Sequence, residues 1–273
     1  MPSARVTFLG TGTSHGVPMI GCRCAVCRSD DPRDTRLRPS IHISVEGGPA
    51  VLVDTATDLR QQALANDITR VDAVLFTHSH ADHVMGLDEL RRFNVTGGRK
   101  LPIYADAETG AELQRIFSYA FAAPSGPGGG VPELSLHQID GPFEVDGLAV
   151  QPVPIMHGPQ PILGFRIGGF AYLTDCNHVP ESSMALLGGL DVLVLDALRH
   201  RPHPTHFSLT EAVAVATRIG ARATYFTQIC HDLSHAATCA DLPAGMALGV
   251  DGQVIGLDDV PYTAPAASGR GAA

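Results

Sequence analysis

Seven residues constrain this chain more than any others: Thr77-His78-Ser79-His80-Ala81-Asp82-His83. They follow the apolar run Val71-Asp72-Ala73-Val74-Leu75-Phe76, which reads as a buried strand. A strand that ends in a loop can aim several imidazoles at one point. Neutral imidazole and carboxylate together suit a divalent transition metal. H-x-H-x-D-H supplies four such groups, more than one ion would take from so short a stretch, so an incidental His-rich loop is the weaker reading.

The rest of the chain supplies more strand ends. Strand-like segments recur at 6–9, 50–53, 73–76, 101–104, 148–152, 164–167, 171–173, 192–195 and 223–226. Helical patterns lie between several of them, at 59–65, 86–93, 107–121, 181–187 and 210–219. Ser208 followed by Glu211 forms a capping-box signal before the last of these. Interleaved strands and helices predict an α/β layered fold. We expect one domain over 1–263, a flexible surface loop at 123–130 and a disordered tail at 264–273.

Bulk properties narrow the function classes. The formal net charge of -9 argues against a nonspecific nucleic-acid binder, because phosphate affinity rests mostly on Lys and Arg. No apolar stretch approaches the ~20 residues of a membrane span. The start, Met1-Pro2-Ser3-Ala4-Arg5, runs into a strand-like segment with no apolar leader, and the protein reads as cytoplasmic. The six cysteines are then expected as thiols or metal ligands.

Polar residues follow the strands in series: Asp54 after Val51-Leu52-Val53, then His157, Asp175 and Asp196. Sites in layered α/β proteins lie at strand ends. With this series and H-x-H-x-D-H together, the chain resembles the metallo-β-lactamase fold superfamily, from Leu9-Gly10-Thr11-Gly12-Thr13 to the last strands. The resemblance implies an αββα sandwich of two mixed β-sheets flanked by helices, with two metals between the sheet edges. It implies that His78, His80 and His157 hold one metal, that Asp82 and His83 hold the second, and that Asp175 bridges both. Asp54 would orient the His loop.

A second cluster is Gly21-Cys22-Arg23-Cys24-Ala25-Val26-Cys27. Three thiolates at C-x-C-x-x-C spacing ask for a structural zinc, and a tetrahedral site needs a fourth ligand. His231 is the candidate, tying the N-terminal loop to the C-terminal one. This cluster, with Gly10 to Pro18 and the His motif, resembles one subgroup of the superfamily, which contains the phosphoribosyl cyclic phosphate phosphodiesterase of the carbon–phosphorus lyase pathway.

Gln228 departs from that family's pattern, in which the late ligand is usually His. An amide oxygen is a weaker and harder ligand than imidazole. Three readings stand: a second metal bound weakly, or a harder ion such as manganese; substitution by His231 or His235; or inactivation.

His206, before the capped helix, occupies the place of a His that in the resembling enzymes contacts the phosphate and protonates the leaving group, with Asp196 to orient it. His206, Asp196 and Asp82 are thus the candidate catalytic residues. His200 and His203 read as solvated loop residues, while Arg199 and Arg201 could neutralise a phosphate. Arg28, Arg33, Arg36 and Arg38 read as a solvated loop with some ion pairs.

The function expected is a metal-dependent phosphodiesterase that hydrolyses a small, even cyclic, phosphodiester through a metal-bound hydroxide. Two active-site Zn or Mn ions and one structural Zn are its expected cofactors. A small-molecule phosphodiester is the expected partner, with neither membrane nor nucleic acid, and the resemblance allows a homodimer. The alternatives are a dinuclear metal hydrolase of a thioester, lactone or other ester, and a weakened metal-binding module marked by Gln228.

Overall fold

A computed structural model describes residues 2–122, 130–258 and 260–264. The loop expected at 123–130 lies outside them except for Gly130, and the tail expected at 264–273 except for Ala264. The first sheet contains β1 (Ala4–Gly10), β2 (Ser40–Val45), β3 (Ala50–Val53), β4 (Ala73–Leu75), β5 (Leu101–Ala105) and β6 (Leu134–Gln138). The second contains β7 (Phe143–Val145), β8 (Leu148–His157), β9 (Gln160–Ile167), β10 (Phe170–Leu173), β11 (Val192–Asp196), β12 (Ala223–Thr227) and β13 (Met246–Leu248). The last strand, β14 (Val254–Leu257), returns to the first sheet beside β1.

Each sheet is mixed in the same way. In the first, β14, β1, β2 and β3 pair antiparallel and β3 to β6 pair parallel. In the second, β7 to β10 pair antiparallel and β10 to β13 pair parallel. Parallel neighbours need crossovers, and the intervening helices cover the outer faces.

Side-chain alternation builds three apolar layers. Val51 and Val53 of β3, Phe170 and Tyr172 of β10, and Val192 and Val194 of β11 meet between the sheets. Leu52 faces the helices over the first sheet, whereas Leu173, Leu193 and Leu195 face those over the second. Burial on both faces explains why these strands read as unbroken apolar runs. The architecture is the expected αββα sandwich, and no helix among the described residues is long and apolar enough to cross a membrane.

Two departures from the sequence expectation concern the bounds of expected elements. β8 runs on past Pro152 and Pro154 to His157. β7 pairs only with its first three residues, Leu148 to Val150, so both prolines lie where one side of the strand has no partner strand and no ladder donor is lost. The helix expected at 107–121 is split into Ala107–Ile116 and Ser118–Phe121. The capping box is present as expected, with Glu211 accepting from the Ser208 backbone and Ser208 accepting from the Glu211 backbone.

The His loop is clamped from both sheets. Thr55 N–H donates to His83 O at 2.7 Å, Gly86 N–H to Thr55 O at 2.9 Å, and Leu163 N–H of β9 to Thr77 O at 3.1 Å. Gly86 is confined by sterics, since a Cβ there would sit 2.1 Å from Ala56 O. Gly86→Ala is therefore expected to destabilise the protein by about 1–3 kcal/mol, read as a lower midpoint in urea unfolding. An unchanged midpoint would mean that this backbone approach is not tight.

Candidate metal centre

The strand ends that carry the site converge where the two sheets meet. Three residues there take the left-handed backbone region without being glycine: Asp54 (φ 62°) after β3, Asp175 (φ 55°) after β10 and Gln228 (φ 62°) after β12. Such conformations cost of order 1–3 kcal/mol each and concentrate at functional sites. All three side chains are buried.

Asp54 organises the His loop. Its Oδ1 accepts from Thr77 N at 2.8 Å, and its Oδ2 accepts from Thr77 Oγ1 at 2.8 Å and pairs with His83 Nδ1 at 2.7 Å. The His83 ring is thereby fixed with Nε2 turned to the site. Because Thr77 Oγ1 spends its proton on Asp54, it accepts from His78 Nδ1 at 3.0 Å. His157 Nδ1 donates to Thr205 O at 2.9 Å. In each ring one nitrogen is engaged and the other is left for the centre, which is how ligating imidazoles are usually held.

The ligand atoms fall into two groups that share one residue. One atom each from His78, His80, His157 and Asp175 lie within 4.8 Å of one another, and so do atoms from Asp82, His83 and Asp175. Asp175 Oδ1 is 3.1 Å from His83 Nε2, and Asp175 Oδ2 is 3.9 Å from His78 Nε2, so the carboxylate faces both groups. Burial, then the neighbouring His83, lowers the His78 pKa well below that of a free imidazole, which leaves its ring neutral. His78 Nε2 is buried and has no hydrogen-bond partner. A neutral, orphaned imidazole nitrogen facing a carboxylate is a donor set that fits a divalent cation.

Gln228 closes the second group. Its Nε2 donates to Asp175 Oδ1 and lies 3.4 Å from His83 Nε2, while its Oε1 is buried without a partner. Turning the amide over would bring Oε1 beside Asp175 and His83, where it could serve as a ligand to a cation held by that group. The other residues considered for that position are elsewhere. His231 lies with the cysteines, and His235, in the helix His235–Asp241, sits 3.6 Å from Cys239 Sγ.

His206 and Asp196 form a pair at the edge of the centre. His206 Nδ1 is 2.6 Å from Asp196 Oδ2, and Phe207 N–H donates to Asp196 Oδ1 at 3.1 Å. Burial opposes charge on His206, but the Asp196 carboxylate outweighs it and raises the imidazole to about 9. Burial pushes Asp196 up to about 6 despite His206. The His206 ring lies 4.8 Å from that of His157 and 5.1 Å from that of His203. His203 is thus not simply solvated, contrary to the sequence expectation, because it lines a cavity beside His206.

The cysteine cluster gathers around one nitrogen. His231 Nδ1 lies 3.2, 3.4 and 3.6 Å from the sulfurs of Cys22, Cys24 and Cys27. Tetrahedral zinc with ordinary bond lengths places such sulfur–nitrogen edges at about 3.5 Å. The Cys27 backbone N–H helps lower the Cys24 thiol to about 6, whereas burial raises Cys27 to about 11.

Arg36 corrects the reading of its segment as a solvated loop. Arg33 and Arg38 do make ion pairs there, with Asp31 and Asp58. Arg36 instead has 1% of its surface exposed. It donates to Cys230 O at 3.1 Å, Leu233 O at 2.8 Å and Asp34 Oδ1 at 2.9 Å. Its partners hold the loop that bears both Gln228 and His231.

Residues 50–229 match the beta-lactamase superfamily domain profile. The crystal structure of a diphosphatase from the PhnP family is 44% identical, with a TM-score of 0.89, and the match covers 96% of this chain and 100% of that one. Zinc-bound PqqB from Methylobacterium extorquens shares the fold at 23% identity and a TM-score of 0.75, over 92% and 99% of the two chains. Among curated proteins, an octanoyltransferase from Porphyromonas gingivalis is 38% identical over 259 residues, 93% of this chain. The chain spans only about half of that relative's length, 52%. Coenzyme PQQ synthesis protein B from Methylorubrum extorquens is 30% identical over 219 residues, 70% of this chain and 72% of that protein.

Asp54→Asn removes the acceptor that fixes His83. The expected result is a 10–100-fold weaker divalent-metal affinity at the Asp82–His83–Asp175 group, measured by chelator competition. An unchanged affinity would show that His83 needs no such anchor.

Proposed function

This chain belongs to the metallo-β-lactamase superfamily, in its PhnP-like subgroup, and on that premise we propose that it is a metal-dependent hydrolase of small phosphodiesters. The observation that carries the reading is the pair of ligand groups sharing Asp175 with His206–Asp196 set against them. We assign His78, His80, His157 and Asp175 to one divalent ion, zinc or manganese. Asp82, His83, Asp175 and Gln228 take a second, bound more weakly because of the amide ligand. Cys22, Cys24, Cys27 and His231 take a structural zinc. When bound, the active-site ions supply positive charge for the phosphate oxygens and make water acidic enough to attack near neutral pH.

The chain's own residues perform the rest. Asp196 accepts the His206 Nδ1 proton, so His206 presents Nε2–H to the leaving oxygen as phosphorus is attacked. Asp196 also stabilises the charged imidazole, and Phe207 N–H holds the carboxylate in place. Asp82 contributes ligation and negative charge beside His83, at 3.5 Å from its Nε2. The likeness to a diphosphatase supports attack at phosphorus. The octanoyltransferase name does not assign acyl transfer to this chain, since the match covers only 52% of that protein.

Hydrolysis of bis(p-nitrophenyl) phosphate after metal reconstitution tests the reading, and absence of turnover with every divalent metal would overturn it. His206→Ala is expected to lower kcat about 10²–10⁴-fold. In the metal-free protein, His206 should titrate near pH 9 by NMR, charged below that pH and neutral above it. Asp196→Asn removes the compensating carboxylate and should move this titration down. A His206 titration near that of free imidazole would show that the pair is not formed.

A further inference from the structure

Resting on the phosphodiesterase reading, we propose that Asn177 is the positioning residue that straps the proton donor His206 to the metal-binding face of the site. The need for a strap lies in the loop before the donor, Arg199-His200-Arg201-Pro202-His203-Pro204-Thr205-His206. Among the described residues, 200–206 make no backbone–backbone hydrogen bond. Pro202 and Pro204 have no N–H to give. The Arg199 side chain donates to Arg201 O and Pro202 O, but these bonds are internal to the loop. The stretch from Pro204 to His206 is therefore fixed by side chains.

Three hydrogen-bonding side chains among the described residues reach that stretch from outside the loop. Asp196 Oδ2 takes His206 Nδ1 at 2.6 Å, which sets the rotation of the ring. His157 Nδ1 donates to Thr205 O at 2.9 Å. Asn177 Nδ2 donates to Pro204 O at 2.7 Å, and its Oδ1 accepts from Gly158 N–H at 2.9 Å. The amide thus bridges the residue after His157 and the second residue before His206. Its partners leave no choice of orientation, because the Gly158 N–H must meet an oxygen and the Pro204 carbonyl must meet an N–H. An Asp in the same place would keep the acceptor and lose the donor.

Asn177 stands on a firm base. Its own N–H donates to Met156 O at 3.0 Å, Met156 N–H donates to His178 O at 3.0 Å, and Phe207 N–H donates to Cys176 O at 2.8 Å. The segment 176–178, just past Asp175, is therefore joined both to the end of β8 and to the residue after His206. The loops that it links approach closely. Gly158 has φ 62°, and a Cβ there would lie 2.8 Å from Thr205 Cγ2, so a side chain at that position would push them apart. With the strap in place, the rings of His157 and His206 are 4.8 Å apart. That spacing sets the donor beside a ligand of the first group, where His206 Nε2 passes its proton to the leaving oxygen as the P–O bond breaks. Loss of the Pro204 bond frees this side of His206 while Asp196 still holds Nδ1. The acid is then still formed but misplaced.

Two diesters separate a misplaced acid from general damage: methyl phenyl phosphate and methyl p-nitrophenyl phosphate. Phenolate is the stronger base and needs the proton as it leaves, whereas p-nitrophenolate leaves largely without it. In metal-reconstituted Asn177→Ala, kcat should fall about tenfold or more for the phenyl ester and about threefold or less for the p-nitrophenyl ester, with KM little changed. Asn177→Asp, which is isosteric and sets an oxygen against Pro204 O, should show the same selective loss. In a His206→Ala background neither substitution should lower kcat further, because the strap acts through that imidazole. Equal losses on both esters, a loss that persists without His206, or wild-type behaviour of both variants overturns the proposal.

Nuclear Overhauser contacts between the ring protons of His157 and His206, recorded on zinc-reconstituted protein with labelled histidine, provide a readout independent of turnover. They should be present in the wild type and lost in Asn177→Ala and Asn177→Asp. Contacts that survive both substitutions overturn the proposal. Failure of the wild type to hydrolyse bis(p-nitrophenyl) phosphate would count against the phosphodiesterase reading alone, since the ring contacts still decide whether the strap exists.

Discussion

The carboxylate of Asp54 is the interaction on which the rest of the centre depends. It is wholly buried and accepts from the Thr77 backbone, the Thr77 hydroxyl and His83. A buried charge is tolerated only when it is paired and hydrogen-bonded. Each of these bonds also sets a direction for something else. The Thr77 hydroxyl, once committed to Asp54, can only accept from His78, and His83 can present only Nε2 to the site. One side chain after β3 thereby decides the orientation of two imidazoles after β4. Burial raises the Asp54 pKa while His83 and Thr77 lower it, so the anchor and its partners are mutually dependent.

The same logic extends to the second sheet. Asp54, Asp175 and Gln228 all follow strands in the left-handed region, and their side chains meet at His83: Asp54 at Nδ1, Asp175 and Gln228 at Nε2. That conformation is unfavourable in isolation, and the surrounding hydrogen bonds maintain it. Ile229, next to Gln228, exchanges backbone hydrogen bonds with Thr11 and Thr13. Arg36 holds the two residues on the far side, Cys230 and Leu233. The proposed zinc at Cys22, Cys24, Cys27 and His231 joins the same two loops three residues from Gln228. The proposed zinc site and the proposed metal centre would therefore share one mechanical support.

The His motif, the thiol spacing and the carboxylates at strand ends were legible in the sequence because each is local: ligands a few residues apart, or a polar residue directly after an apolar run. Arg36 was not legible. Its acceptors at Cys230 and Leu233 lie 194 and 197 residues away, and no local pattern separates it from Arg33 or Arg38. β14 was missed for a similar reason, since its four residues alternate weakly and become a strand only by pairing with β1. His203 was read as solvated because its neighbours are polar, yet the return of the chain at Thr205 turns it toward His206.

Gln228 is where the local reading and the three-dimensional one have to be combined. By sequence it is an imidazole exchanged for an amide, which could mean loss of a ligand. In space it remains in contact with Asp175 and His83, buried to 1%, in a backbone conformation that is costly to keep. A side chain with no role at a metal would have little reason to occupy that conformation with its oxygen unsatisfied. Three carboxylates, from Asp54, Asp82 and Asp175, also surround His83; burial opposes its charge, but the carboxylates outweigh it and raise its pKa well above that of a free imidazole. On the proposed reading the amide is a harder, weaker ligand rather than a lost one, which would shift the second position toward ions that prefer oxygen.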